Sequence, residues 1–265
     1  MAGRMNAFTP WSYPERVLAH RGGGTLAPEN TLAGLNEGMR RGFRAIEYDI
    51  MLARDGVPVV MHDPYLGRTV AGSGNVFDYD ALELAGMDAG SWFGGAFDGE
   101  PVPLFLEYAA YCKAHGVWMN MEIKPAPGYD IETGGTVARI AAGMFADEIA
   151  AGRWDRVPLL SSFSELALEA AREVAPLVPR ALLMSELPPD WERRVQAVGA
   201  LAVHVNHRHL SRELAEAVRA AGYALFCYTV NEPARARELL GWGVQAFCTD
   251  RIDLIGPDFG ESRIP

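Results

Sequence analysis

Long apolar runs, cysteine pairs and an excess of basic charge are all missing from this 265-residue sequence. No stretch reaches the roughly 18 consecutive apolar residues expected of a membrane-spanning helix, and the opening MAGRMNAFTPWSYPERVL holds no apolar core of signal-peptide length. The expectation is a cytoplasmic protein with no stable membrane association. The three cysteines, Cys112, Cys227 and Cys248, lie far apart among apolar neighbours and form no C-x-x-C pair. They read as reduced core thiols, which excludes a disulfide or zinc framework. With 24 Lys and Arg against 34 Asp and Glu, the formal charge is −10, so nucleic acid and anionic membranes are repelled overall. An anionic substrate must be held by local cations or a metal.

What is present is a core-sized share of apolar residues, 49%, arranged as short β-rich runs that alternate with longer helical patterns. The predicted strands are 16–20, 45–50, 117–123, 157–162, 180–184, 201–205, 223–229 and 244–249. Helices are predicted over about 29–41, 104–115, 133–151, 164–174, 189–198, 211–221 and 232–240, with a short last one after Asp250. Eight βα units in a chain of this length fit a (β/α)₈ TIM barrel better than an open doubly wound sheet. An Asp-Gly turn in ARDGVPVVMHD (53–63) predicts an extra strand. The Gly-, Asp- and Ser-rich stretch of about 64–103 reads as an insertion after the second strand of one barrel domain spanning 1–265.

The stretch VLAHRGGGTLAPENT (17–31) invites a dinucleotide-loop reading, because Gly22 to Ala27 fits G-x-G-x-x-A after a strand. Pro28 argues against it. Proline disfavours helix at the preceding residue, so the helix starts after the glycines and not within them. The glycines then serve to turn the chain sharply behind His20 and Arg21.

In a barrel of this kind chemistry sits where strands end at their C-terminal side. Strand one ends in His20-Arg21; Glu47 and Asp49 share a face of strand two; Glu122 and Lys124 share a face of strand three. Three carboxylates at one mouth require neutralisation, and an all-oxygen set suits Mg²⁺ or Ca²⁺. On spacing alone, salt bridges to Arg21, Lys124 or Arg44 are an equal alternative. The extra strand ends in His62-Asp63, which brings a second histidine to the same mouth, and paired imidazoles are a usable acid and base near neutral pH.

His20-Arg21-Gly22, Pro28-Glu29-Asn30-Thr31, Glu47-x-Asp49, His62-Asp63, Glu122-x-Lys124, Ser162-Phe163, Thr229-Val230-Asn231 and Thr249-Asp250-Arg251 occur in an order that resembles the glycerophosphodiester phosphodiesterases, most closely the cytoplasmic bacterial type, over about 16–254. The resemblance implies a phospholipase-C-like (β/α)₈ barrel that hydrolyses glycerophosphodiesters to sn-glycerol 3-phosphate and an alcohol with one divalent cation. By the same resemblance Glu47, Asp49 and Glu122 match metal ligands, and His20 and His62 the acid–base pair. Arg21 and Lys124 match phosphate-binding groups, and Tyr228 stands where many relatives carry Trp, as an aromatic wall. Asp250 reads as a loop anchor.

Competing readings are a lipid-cleaving relative of the lysophospholipase D, sphingomyelinase D or phosphatidylinositol phospholipase C kind, and a non-catalytic glycerophosphodiester binder. His204, His207 and His209 in HVNHRH lack partners at zinc spacing. His115 fits a helix end, and Ser164 a helix cap in preference to a nucleophile. WFGGAF (92–97) suits either an apolar lid or the insertion's small core.

Overall fold

A computed structural model describes residues 11–260. Nine strands form one sheet: β1 (Val17–His20), β2 (Ala45–Leu52), β3 (Pro58–Val60), β4 (Trp118–Ile123), β5 (Leu159–Ser162), β6 (Arg180–Met184), β7 (Ala202–Asn206), β8 (Ala224–Tyr228) and β9 (Ala246–Thr249). Parallel pairing runs β1-β9-β8-β7-β6-β5-β4-β2, and β1 pairs with β2 to close the barrel. This is the (β/α)₈ barrel. β3 adds to the outside of the ladder, antiparallel to β2, through the Asp55-Gly56 turn, where Gly56 takes φ +76°.

The helices are α1 (Leu32–Arg40), α2 (Ala81–Ala85), α3 (Phe105–Ala114), α4 (Asp130–Met144), α5 (Ala146–Ala150), α6 (Glu165–Val174), α7 (Trp191–Ala197), α8 (Arg212–Ala220) and α9 (Pro233–Gly241). Capping fixes where several begin. The Thr31, Ser164 and Ser211 side chains accept from the backbone N–H three residues on, starting α1, α6 and α8.

Two expectations fail. The single helix predicted over 133–151 is two, broken at Phe145 (φ −109°, ψ 21°), where the Lys113 ammonium takes the Met144 carbonyl and sits 4.7 Å over the buried Phe145 ring. The short helix after Asp250 is only a turn, Ile255 N–H to the Arg251 carbonyl, stopped by Gly256-Pro257.

One apolar cluster fills the space between barrel and helices, with Phe43, Ile46, Tyr48 and Phe105 among its fully buried members. A second fills the barrel interior. There Leu18, Trp118, Leu159 and the alanines Ala45, Ala181, Ala202, Ala224 and Ala246 leave a space that Trp11 and Tyr13 enter from the chain's start, Tyr13 packing 5.4 Å from Phe226. A third, including Leu66, Val70, Val76 and Leu84, joins the 64–103 segment to Met51, Val59 and Met61. Residues 1–10, which hold most of the stretch read for a leader, lie outside the described residues. Among the described residues no helix is long and apolar enough to cross a membrane.

Candidate active site

The loop after β1 is built from unusual backbone. Arg21 (φ +50°) and Asn30 (φ +57°) are the non-glycine residues with positive φ among those described, and Gly22 and Gly24 take φ +83° and +53°. A Cβ on Gly24 would lie 2.2 Å from the Asp250 carbonyl oxygen, so glycine lets this loop close on the turn after β9. Asn30 uses its left-handed conformation to donate from Nδ2 to Asp49 Oδ2 at 2.8 Å.

Two histidines face the barrel mouth with the same anchorage. His20 Nδ1 lies 2.5 Å from Asp250 Oδ1, and Asn231 fixes that carboxylate by donating Nδ2 to Oδ2 at 2.8 Å while accepting the Asp250 N–H at 2.8 Å. His62 Nδ1 lies 2.6 Å from Asp63 Oδ1, and Arg68 bonds both Asp63 and Glu29. Glu29 also accepts from Arg21 at 2.8 Å. Burial pushes the Asp250 carboxyl up, but hydrogen bonds from His20 and Asn231 and the His20 charge outweigh it and hold it at about 2. Asp63 is likewise held at about 2, against burial, by Arg68 and His62. Each carboxylate therefore accepts Nδ1–H and leaves Nε2 to the cavity.

β2 and β4 run in register, Asp49 beside Glu122 and Glu47 beside Asn120, which brings carboxylate oxygens of Glu47, Asp49 and Glu122 within 4.8 Å of one another. Lys124 Nζ stands 3.5 Å from both Asp49 and Glu122, and Arg21 Nε 3.4 Å from Asp49. The salt-bridge alternative is thus partly realised, but it leaves Glu47 aside. Glu47 Oε2 is buried without a hydrogen bond, 3.6 Å from His20 Nε2. Burial, then Asp49 and Glu122, pushes the Glu47 carboxyl well above its usual range; burial and Asp49 push Glu122 up to about 7. Asp49, although buried, is held down by Arg21 and Lys124. An orphaned oxygen and two carboxylates strained toward protonation are what a hard divalent cation relieves, so the donor set fits Mg²⁺ or Ca²⁺. Arg44 precedes β2 at the opposite end of the barrel.

A cavity of about 260 Å³ opens at this mouth. His20, Arg21, Glu47, His62, Glu122 and Lys124 line one side, whereas Phe163, Leu183 and Tyr228 line the other. Asp49 stands behind the lining, buried against Arg21 and Lys124. Tyr228 donates its hydroxyl to the Met184 carbonyl at 3.0 Å and sets its ring edge-on to Phe163, so it serves as a wall. Sequence reading missed the anchoring of both histidines. The signal existed for Asp63, adjacent to His62; for Asp250 it lay 230 positions from its partner.

The other signals resolve simply. His204 is buried inside the barrel with Nε2 2.7 Å from the Tyr13 hydroxyl and its ring stacked on Phe226. His115 is the C-cap of α3; Ser162 donates to the Ile123 carbonyl. Phe93 packs edge-on to both Trp92 and Phe97, and Trp92 Nε1 donates to the carbonyl of Ala89, a buried member of the apolar cluster of the 64–103 segment.

The sequence matches the model of the Glycerophosphoryl diester phosphodiesterase family over residues 20–254. It is 31% identical over 239 residues, 88% of this chain and 93% of the relative, to a glycerophosphodiester phosphodiesterase of Caldanaerobacter subterraneus. A Bacillus subtilis glycerophosphodiester phosphodiesterase is 28% identical over 257 residues, 91% of this chain and 86% of its own. Among solved structures, an Oleispira antarctica phosphodiesterase in complex with the product sn-glycerol-3-phosphate superposes with a TM-score of 0.79 at 32% identity, covering 89% of this chain and 92% of that one. A glycerophosphodiester phosphodiesterase from Agrobacterium tumefaciens gives 0.73 at 27%, covering 91% and 98%.

Proposed function

The chain belongs to the glycerophosphoryl diester phosphodiesterase family and is a phosphodiester hydrolase; from that premise we propose that it cleaves glycerophosphodiesters such as glycerophosphocholine and glycerophosphoethanolamine to sn-glycerol 3-phosphate and the free alcohol, with His20 and His62 as the acid–base pair. One observation carries this reading. Two carboxylate-anchored imidazoles present Nε2 to a cavity lined also by Glu47, Glu122, Arg21 and Lys124, with Asp49 of the same carboxylate cluster directly behind.

Arg21 and Lys124 bind the phosphodiester oxygens and offset the negative charge that grows on them as the bond to the leaving group breaks. Arg21 is held for this by Glu29 and Asp49, Lys124 by Asp49 and Glu122. One imidazole accepts at Nε2 the proton of the attacking hydroxyl, of water or of the glycerol end, and the other, as the imidazolium, delivers a proton to the departing alkoxide; where the glycerol hydroxyl attacks, water then opens the cyclic phosphate. Asp250 and Asp63 keep both rings in the Nδ1–H tautomer and stabilise the imidazolium form. Glu47, Asp49 and Glu122 would hold the divalent cation, Mg²⁺ or Ca²⁺, which supplies a Lewis acid that polarises a phosphoryl oxygen and lowers the pKa of the attacking group. Phe163, Leu183 and Tyr228 give the cavity an apolar wall against which the uncharged part of the substrate packs.

The test is release of sn-glycerol 3-phosphate from glycerophosphocholine by dialysed protein, with chelator and after adding Mg²⁺ or Ca²⁺. Activity abolished by chelator and restored by metal is expected. No release at any metal concentration refutes the activity; full activity in chelator refutes the metal.

A further inference from the structure

The catalytic cavity reaches deeper than its acid–base machinery. Besides the groups already described, it is lined by Asn120 of β4 and His204 of β7, which are 2% and 0% exposed. Both carry a buried polar atom with no hydrogen-bond partner, Asn120 Oδ1 and His204 Nδ1. Unsatisfied groups of this kind are rare in a folded interior unless something else completes them. They are also matched in sense.

Burial pushes His204 down to about 3, so the ring is neutral, and burial likewise keeps the Tyr13 phenol protonated. The Tyr13 hydroxyl has no other acceptor among the described hydrogen bonds, so it donates to His204 Nε2 at 2.7 Å and places the remaining ring proton on Nδ1. The two buried atoms left unpaired on the floor are then one donor, His204 Nδ1–H, and one acceptor, Asn120 Oδ1, without net charge. Hydroxyl groups, which accept as well as donate, satisfy both atoms; a phosphate oxygen or an ammonium satisfies only one.

We propose that Asn120 and His204 form a neutral subsite at the cavity floor that binds the hydroxyl-bearing glycerol end of the substrate, with Tyr13 as the positioning residue that sets the His204 tautomer. This rests on the glycerophosphodiester reading above. It also gives the substrate a direction. The glycerol end, common to all such diesters, goes to the closed floor. The variable alcohol faces the open side, where Phe163 is 47% exposed.

Calorimetry on metal-loaded protein tests it with two ligands, sn-glycerol 3-phosphate and methyl phosphate, which share a phosphate and differ in hydroxyls. Asn120→Leu is the main variant, since a buried amide without partners is replaced at similar volume. Tyr13→Phe/His204→Phe is the second, removing both ends of the buried hydrogen bond together. The expected result is a loss of about five- to tenfold in affinity for glycerol 3-phosphate in each variant, an ordinary neutral hydrogen bond, with methyl phosphate within twofold of wild type. Tyr13→Phe alone gives a smaller loss. Equal weakening of both ligands, no change in either, or a shift in the metal-binding midpoint of Asn120→Leu overturns the subsite. Wild type that releases no glycerol 3-phosphate from glycerophosphocholine, yet shows the ligand difference, refutes the activity and leaves the subsite standing.

Discussion

Replacing Asp250 by Asn isolates what a carboxylate behind His20 contributes, because the change keeps size and removes only charge. In the native arrangement Asp250 Oδ1 accepts from His20 Nδ1 at 2.5 Å while Oδ2 accepts from Asn231 Nδ2 at 2.8 Å. An amide can keep its oxygen toward Asn231 only by aiming its NH₂ at His20, and then the ring must accept at Nδ1 and carry its proton on Nε2. The flipped amide restores the useful tautomer but sets two NH₂ groups against each other, at about 1–3 kcal/mol for the unpaired donor. Asn231 thus selects the inactive form by about 5- to 150-fold. Loss of the carboxylate's attraction for the imidazolium adds about a further tenfold. We expect kcat for glycerol 3-phosphate release to fall about 10²- to 10³-fold in Asp250→Asn, with KM and metal dependence little changed, because Asp250 is not among the three clustered carboxylates. Steady-state kinetics at saturating metal reads this out, with circular dichroism to establish folding. A kcat within threefold of wild type would refute the orienting role.

Three other outcomes follow from the same geometry. Mg²⁺ or Ca²⁺ should raise the melting temperature of wild type, as ligation at about 100 Kd contributes about 2.7 kcal/mol, and Glu47→Gln should lose that shift; an undiminished shift places the metal elsewhere. His204, near 3 in the fold against about 6.5 in the unfolded chain, binds fewer protons folded than unfolded between those values. Its contribution is complete above pH 6.5 and is lost as pH falls, about 1.4 kcal/mol per unit; denaturant melts from pH 7 to 4.5 should show a flatter profile for His204→Gln, and parallel profiles would contradict this. Gly24→Ala sets a Cβ against the Asp250 carbonyl at 2.2 Å and should cost about 1–3 kcal/mol of stability together with activity, since the displaced turn carries the His20 anchor. Unaltered melting and turnover would show that the loop closes otherwise.

The barrel was legible because its code is local. Alternating β-rich and helical stretches place each of the eight parallel strands to within two residues, and strand alternation puts Glu47 with Asp49, and Glu122 with Lys124, on one face each, leaving metal ligation and salt bridges equal on spacing alone. Pro28 keeps the helix start past the glycines, but the start falls at Leu32, behind a Thr31 cap, later than the predicted 29. What stayed hidden depends on contacts between distant parts of the chain. Asp250 and Asn231 meet His20 only when β9 closes on β1, and Tyr13 reaches His204 across 191 positions. The break at Phe145 is of the same kind, since it is Lys113, on another helix, that takes the Met144 carbonyl. His204, unremarkable as one of three histidines in HVNHRH, acquires meaning only from the cavity it lines.

Side-by-side assay of His20→Ala and His62→Ala on glycerophosphocholine, with sn-glycerol 3-phosphate binding measured on the same metal-loaded samples, tests the paired-histidine site most directly. The account predicts that each variant loses at least about 10²-fold in kcat, as expected for removal of a general acid or base, while product affinity stays within a few fold because Arg21, Lys124 and the carboxylate cluster are untouched. Turnover near wild type in either variant, or product binding lost in step with activity, would contradict it.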